Sequence, residues 1–186
     1  NEETLPAAVA GLRTCGIRGF NLTMPNKNKI VELLDELSPE AQLIGAVNTV
    51  LNDNGKLIGY NTDGYGFMQS VRDAGHDVTN KNITVMGVGG ASMAICAQSA
   101  LDGASSVHIF ARRTSRYWNR TQKFAENLTA KTGCQVCLFD NDDHTALKDS
   151  IAQSYLLINA TSVGMVPDID DTIIKDTSLF RPGLVV

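Results

Sequence analysis

The sequence predicts an α/β protein built around a doubly wound parallel sheet, preceded by a smaller α/β unit. Beyond residue 63, apolar strands alternate with helical patterns, which is typical of βαβ units. The strand patterns at 83–86 (ITVM) and 155–159 (YLLIN) are short apolar runs, as expected for a sheet covered on both faces. A glycine-rich turn joins the first of these strands to the helix that follows it.

The composition is that of an ordinary globular protein. The chain has 186 residues, 43% hydrophobic and 19% charged, which suits one large domain or two small ones. Its net charge of −4 offers nucleic acid little electrostatic attraction. No apolar run approaches the roughly 18 residues of a membrane-spanning helix, and no secretory signal pattern opens the chain. We therefore expect a cytoplasmic protein that binds neither nucleic acid nor a membrane.

The first unit, residues 1–63, is predicted to mix helices with a hairpin. Residues 2–15 have helical spacing of their apolar side chains. Further along, the patterns predict a strand at 17–24, an amphipathic helix at 26–37 and strands at 46–52 and 56–62. Asn54-Gly55 lies between the last two strands, and this dipeptide between apolar runs is a strong hairpin signal.

The second unit, residues 64–186, is predicted to be the doubly wound domain. Its patterns predict, in order, a helix at 64–75, a strand, glycine turn and helix within 82–104, a strand at 105–113, a helix at 117–133, a strand at 134–140, a helix at 143–154 and a strand at 155–161. We place the boundary between the units near residue 63, without a flexible linker.

The cysteines and histidines do not predict a metal site. Cys134 and Cys137 have C-x-x-C spacing, but they lie in a predicted strand, where positions i and i+3 point to opposite faces. The remaining cysteines and the three histidines lack metal-ligand spacing. We expect free thiols and no metal.

The glycine turn predicts a dinucleotide site of the Rossmann type. Gly87, Gly89 and Gly90 lie between a strand and a helix, where a glycine backbone lets a phosphate approach the helix N–H groups. Ser92 occupies the position of the third glycine in the usual G-x-G-x-x-G pattern. The alternative is a purely structural turn.

Arginines after the next strand favour NADP over NAD. Arg112, Arg113 and Arg116 follow that strand, where an NAD enzyme usually carries an acidic residue for the ribose hydroxyls. Guanidinium groups instead hold a 2′-phosphate. The alternative is a set of solvated loop charges.

Polar residues at chain breaks in the first unit form a candidate catalytic cluster. Lys27 follows Pro25, Asn48 lies in GAVNTV, and Asn61 and Asp63 lie in GYNTDG. A lysine and an aspartate brought together there could exchange a proton with a substrate hydroxyl while a nicotinamide takes the hydride. The alternative is a surface lysine, an asparagine that satisfies a turn, and an aspartate that caps a helix.

The motifs GFNLTMPNK, GAVNTV, GYNTDGYGF, GVGGAS and NATSVGM, in this order and spacing, resemble the shikimate dehydrogenase family, including its quinate/shikimate dehydrogenase branch. The resemblance implies NADP-linked, reversible reduction of 3-dehydroshikimate to shikimate, in aromatic amino-acid biosynthesis. It also implies that Lys27 and Asp63 are catalytic and that residues 1–63 are part of a substrate-binding domain. The implied substrate-binding residues are Thr23, Asn48 and Asn61; the implied cofactor-binding residues are Gly87, Val88, Gly89, Gly90, Ala91, Arg112, Arg113, Arg116 and Thr161.

Departures from the family pattern keep alternatives open. The Arg112-Arg113 pair is similar to the branch that accepts NAD, whereas Thr114 replaces that branch's aspartate and Arg116 matches the NADP-specific branch. The family's N-terminal Ser-x-Ser motif and its C-terminal glutamine-bearing helix are not found, so we expect the central part of a longer enzyme. The alternatives are a quinate/shikimate dehydrogenase using NAD or NADP, and a non-catalytic dinucleotide-binding module. We expect a small-molecule substrate and a monomer or homodimer.

Overall fold

The computed structural model describes residues 2–167 and 169–186. The helices are α1 (Leu5–Thr14), α2 (Pro39–Ile44), α3 (Asp63–Asp73), α4 (Gly90–Leu101), α5 (Trp118–Thr132) and α6 (His144–Gln153). The strands are β1 (Gly19–Asn21), β2 (Glu36–Leu37), β3 (Thr49–Asp53), β4 (Lys56–Tyr60), β5 (Asn82–Met86), β6 (Ser106–Ala111), β7 (Gln135–Asp140) and β8 (Leu156–Asn159). Short 3-10 helices span Lys29–Leu33 and Thr177–Leu179.

The first sheet has the strand order β1-β3-β4-β2. The predicted hairpin is confirmed, because β3 and β4 pair antiparallel and Asn54 and Gly55 both have positive φ at the turn between them. A small apolar core buries residues of α1, the 3-10 helix, α2, the hairpin and the loop before it: Leu5, Val9, Ile30, Ala41, Val47, Val50 and Leu57. This sheet supports the loops that carry Lys27 and Asn48.

The helix predicted at 26–37 is wrong. Only Lys29–Leu33 is helical there, as a 3-10 turn, and the chain then runs into β2, parallel to β4. Asp35 explains the change, because its N–H donates to Leu57 O at 3.0 Å and its carboxylate accepts from Leu57 N at 2.7 Å. That backbone hydrogen bond also lowers the pKa of Asp35. Pairing with β4 therefore overrides the helical apolar pattern.

Helix α2 was missed by the sequence analysis. Ser38 caps it by accepting from Ala41 N, Pro39 is its first residue, and Gly45 ends it in the left-handed conformation. These are ordinary helix start and stop signals, so the sequence did contain the information.

The second sheet confirms the predicted α/β architecture. Its four strands have the order β7-β6-β5-β8 and all pair in parallel. Helices α3, α4 and α5 contribute to its main core on one face, and α6 packs on a second cluster with Phe110 and Leu157. Cys134, just before β7, is buried, whereas Cys137 within β7 is exposed, and both are free. Burial raises the pKa of the Cys134 thiol to about 11.

Helices α3 and α4 pack against each other at very short range. A Cβ added to Gly64 would lie 2.2 Å from Ala94 O, so only glycine allows the two helices to approach this closely. Asp63, the residue before it, is thereby held beside the early turns of α4. The division into domains at residue 63 stays a prediction. Among residues 2–167 and 169–186, no helix is long and apolar enough to cross a membrane.

Candidate active site

Lys27 and Asp63 form an ion pair at the edge of the first sheet. Lys27 Nζ lies 2.6 Å from Asp63 Oδ2, and the two side chains are 22% and 36% exposed. The loop that carries Lys27 is fastened by Val47 N, which donates to Lys27 O at 2.8 Å. Partial burial and a tight partner argue against the alternative of a solvated surface lysine.

Asp63 is the first residue of α3, where the helix dipole favours negative charge. Thr62 occupies the N-cap position, and it makes no side-chain cap hydrogen bond. Asp63 therefore does not cap the helix, contrary to the alternative considered from the sequence. Its N–H donates to Asn61 Oδ1 at 3.2 Å, which fixes the backbone at the helix start.

Asn48 fixes the other oxygen of the Asp63 carboxylate. Its Nδ2 donates to Asp63 Oδ1 at 2.7 Å, while its Oδ1 accepts from Thr62 N at 3.0 Å and from the Thr49 hydroxyl at 3.0 Å. A backbone N–H is only a donor, so the Asn48 amide has one acceptable orientation. Asn48 thus determines which way the Asp63 carboxylate faces.

Asn61 is almost fully buried, with 3% of its surface exposed. Its Nδ2 donates to Ala46 O at 3.1 Å, and its Oδ1 accepts from Asp63 N. Both polar atoms are therefore occupied within the protein. Thr23, in contrast, is exposed on the loop before Lys27. The structure brings Lys27, Asn48, Asn61 and Asp63 into one hydrogen-bonded cluster, and it does not join the Thr23 side chain to them.

A groove of about 830 Å³ runs along the carboxyl ends of the parallel strands. This edge of a doubly wound sheet is the usual ligand site. The residues that line it come from the ends of β5, β6, β7 and β8 and from a later loop: Gly87, Val88, Gly89, Ala111, Arg112, Thr114, Ser115, Arg116, Tyr117, Asn141, Ala160, Thr161, Ser162, Val163 and Ile173. The groove is large enough for a nucleotide-sized ligand.

The glycine turn has the backbone that a phosphate requires. Gly87 has φ +108°, and an added Cβ would lie 2.9 Å from Ala160 O. Ser92 replaces the third glycine of the usual pattern because its hydroxyl donates to Gly87 O at 2.6 Å and closes the turn. Gly90 and Ala91 begin α4, whose first N–H groups lack intrahelical partners. The turn therefore fits a pyrophosphate.

The three predicted arginines have different surroundings. Arg112 and Arg116 line the groove, and Arg116 lies 4.7 Å over the Tyr117 ring. Arg113 instead stacks on Trp118, with 4.6 Å from its guanidinium carbon to the ring centroid. Within residues 2–167 and 169–186, the Arg112 guanidinium has no ion-pair or hydrogen-bond partner. Arg112 and Arg116 are thus the arginines that line the groove, and Arg116 also donates to the Tyr117 hydroxyl at 2.6 Å.

The loop after β8 is folded by the Asn159 side chain. Asn159 Oδ1 accepts from Thr161 N at 3.0 Å and from the Thr161 hydroxyl at 2.7 Å, and its Nδ2 donates to Val163 O. Thr161, predicted to contact the cofactor, therefore lies on an ordered wall of the groove.

Sequence reasoning missed several polar groups of the groove: Thr114, Ser115, Tyr117 and Asn141. Thr114, Ser115 and Tyr117 lie in the loop after β6, and Asn141 directly follows β7. Their position after a strand was the signal that could have identified them.

Comparisons with known proteins show which family the chain resembles. A family model described as the shikimate dehydrogenase substrate binding domain matches residues 1–50. A relative from Listeria innocua named shikimate dehydrogenase (NADP(+)) is 45% identical over 185 residues, covering 100% of this chain and 63% of the relative. Over its whole length the chain is similar to this member of the shikimate dehydrogenase family.

Two further proteins show the same similarity. A Streptococcus pyogenes protein of the same name is 50% identical, covering 99% of this chain and 63% of its own length. The crystal structure of shikimate 5-dehydrogenase from Listeria monocytogenes in complex with shikimate and NAD matches with a TM-score of 0.95 and 44% identity, over 98% of this chain and 63% of that one. The present chain thus spans 63% of the length of these family members.

Proposed function

We propose that the protein is a shikimate dehydrogenase that reversibly reduces 3-dehydroshikimate to shikimate with NADPH, within aromatic amino-acid biosynthesis. The observation that carries this proposal is the Lys27–Asp63 ion pair, held by Asn48, in a chain that also carries the glycine turn. A protein that only binds a dinucleotide has no need of such a pair. The names of the relatives support the same activity.

Lys27 is proposed to carry the proton. Asp63 Oδ2 accepts from Lys27 and Oδ1 accepts from Asn48, so both carboxylate oxygens are already engaged. The Lys27 ammonium has three N–H donors and uses one for Asp63. Its remaining donors are free to reach the carbonyl oxygen of the substrate, to which Lys27 gives a proton as the alcohol forms. Asp63 orients the amine and compensates its charge.

The groove is proposed to bind the cofactor, which when bound supplies the hydride. Gly87–Ala91 present the turn and helix N-terminus to the pyrophosphate, and Thr161 lies on the facing wall. Arg112 and Arg116 hold the 2′-phosphate that distinguishes NADP from NAD. Arg113, also predicted to contact the cofactor, supports the loop by stacking on Trp118.

Within the cluster, Thr23, Asn48 and Asn61 are proposed as the substrate side of the site. Thr23 is the exposed member, so its hydroxyl is available for direct contact. Asn48 and Asn61 have fully paired amides and act by holding Asp63. We further propose a cytoplasmic enzyme, monomeric or homodimeric, with residues 1–63 belonging to the substrate-binding domain and 64–186 to the dinucleotide-binding domain.

A steady-state assay of the full-length protein tests the proposal. Shikimate and quinate are each offered with NADP+ and NAD+, and nicotinamide reduction is followed at 340 nm, the usual wavelength of reduced nicotinamide. We expect the highest kcat/KM for shikimate with NADP+. Higher kcat/KM with quinate would move the protein to the quinate/shikimate branch, and no turnover of either substrate would contradict the enzyme assignment.

A further inference from the structure

Asn141 lies where the groove reaches the outer strand of the sheet. It directly follows β7, and its N–H donates to Ala111 O at 2.9 Å, which fastens it beside the end of β6. Its side chain is part of the groove lining, next to Ala111 and Arg112. Nothing in the proposed proton or hydride transfer uses this residue.

The Asn141 amide is unpaired. Its Oδ1 is buried and lacks a hydrogen-bond partner among residues 2–167 and 169–186. Its Nδ2 likewise makes no hydrogen bond within that part of the chain. Buried polar atoms are nearly always hydrogen-bonded, and the exceptions call for an explanation. Because Oδ1 is buried, a ligand in the groove that offers a donor and an acceptor side by side would satisfy both atoms only once the Asn141 side chain turns toward the groove.

The order of the strands indicates which part of the cofactor reaches Asn141. The pyrophosphate lies at the turn after β5, and the residues after β6 contact the adenosine ribose. Strand β7 is the next strand outward in the order β7-β6-β5-β8. The group attached to the ribose on that side is the base. The residue after β7 therefore meets the adenine.

We propose that Asn141 recognises the adenine base of the cofactor through its side-chain amide. A carboxamide pairs with adenine in two hydrogen bonds, its oxygen accepting from the 6-amino group and its nitrogen donating to a ring nitrogen. A base with a carbonyl at position 6 places an acceptor against Oδ1 and is disfavoured. This inference rests on the proposed binding of NADP in the groove.

The neighbouring acidic residue, Asp140, is not among the residues that line the groove. Its Oδ1 accepts from Asp142 N at 3.2 Å and from Arg113 N at 3.4 Å, so that oxygen shapes the loops. At this end of the groove, Asn141 has an amide oxygen without a hydrogen-bond partner among the described residues.

The test compares NADP+ with its deamino analogue, in which hypoxanthine replaces adenine. Dissociation constants are measured by calorimetry on the full-length protein, on Asn141→Ala, and on the control Asn127→Ala, an exposed asparagine of α5 outside the groove. We expect the unmodified protein and the control to bind NADP+ about tenfold more tightly than the analogue. Asn141→Ala should bind NADP+ about tenfold more weakly and the analogue unchanged.

Equal binding of the two dinucleotides by the unmodified protein would overturn the proposal. So would an Asn141→Ala variant that weakens both by the same factor, which is the signature of a structural role. The proposed function fails separately: discrimination between the bases without shikimate oxidation would contradict the dehydrogenase activity alone, whereas turnover without discrimination would contradict the role of Asn141 alone.

Discussion

The Lys27–Asp63 cluster and the groove along the parallel sheet differ in how their polar groups are satisfied. In the cluster, Lys27, Asn48 and Asp63 pair with one another, so its geometry is set by the protein itself. In the groove, the buried Asn141 Oδ1 has no hydrogen-bond partner among residues 2–167 and 169–186, and Arg112 is exposed. This difference fits the proposed roles, a cluster preorganised for proton transfer and a groove whose polar groups are left to pair with a ligand. Changes in the cluster should therefore alter kcat and stability, and changes in the groove should alter binding.

The largest effect is expected from Lys27→Ala. Removing the proposed proton donor should lower kcat by about 10²–10⁴-fold, with the dissociation constant for NADP+ unchanged. The matched control is Lys29→Ala, an exposed lysine two residues away. Steady-state kinetics and calorimetry on the full-length variants measure both quantities. Near-normal kcat in Lys27→Ala would show that Lys27 is not the proton donor.

Gly87→Ala tests the glycine turn of the groove, whose backbone conformation disfavours a side chain. The residue has φ +108°, and an added methyl would lie 2.9 Å from Ala160 O. We expect a loss of about 2–4 kcal/mol in the free energy of unfolding, combining backbone strain with overpacking. Gly66→Ala is the control, since it lies in α3 with nothing within 4 Å of an added Cβ. Urea denaturation that finds both variants equally stable would show that the turn tolerates a side chain.

Asn48→Ala and Asn141→Ala compare the two regions directly. Losing Asn48 leaves Asp63 Oδ1 and Thr62 N without their partner, which should cost about 2 kcal/mol of unfolding free energy. Losing Asn141 removes an amide oxygen that has no partner, so stability should hardly change. Chemical denaturation of the two variants in parallel measures the difference in unfolding free energy. Equal losses of unfolding free energy would contradict the difference between cluster and groove.

The smallest effects are expected from substitutions of the arginines. They distinguish arginines that bind the cofactor from one that packs on Trp118. Arg112→Ala and Arg116→Ala should each weaken NADP+ binding about tenfold or less, with little change for NAD+, because a charged contact to the 2′-phosphate is lost. Arg113→Ala is the comparison, since its guanidinium lies on Trp118. Calorimetric titration with both dinucleotides distinguishes them. If Arg113→Ala alone changed the preference for NADP+, the assignment of the arginines would be reversed.

The architecture was largely readable from the sequence because its signals are local. The parallel strands are apolar runs, and the hairpin is marked by Asn54-Gly55. The helix expected at 26–37 failed because Asp35 pairs with Leu57, a contact across 22 residues that no local pattern records. Tertiary pairing decided that segment.

The sequence predicted which residues form the candidate site, but it did not predict most of the hydrogen bonds and stacking contacts between side chains. Lys27 and Asp63 were expected to meet, and the structure puts them 2.6 Å apart. That Asn48 holds Asp63, and that Arg113 stacks on Trp118, depends on side-chain orientation. Sequence spacing does not contain that information, and the unpaired oxygen of Asn141 is visible only once its surroundings are folded.

Gly64 ties the position of Asp63 to the packing of α3 on α4. Because an added Cβ at Gly64 would lie 2.2 Å from Ala94 O, a larger residue there would have to push α3 away from α4. Asp63 is the neighbouring residue of α3, and its carboxylate lies 2.6 Å from Lys27 Nζ on the loop after β1. A helix-packing glycine therefore also sets the length of the ion pair.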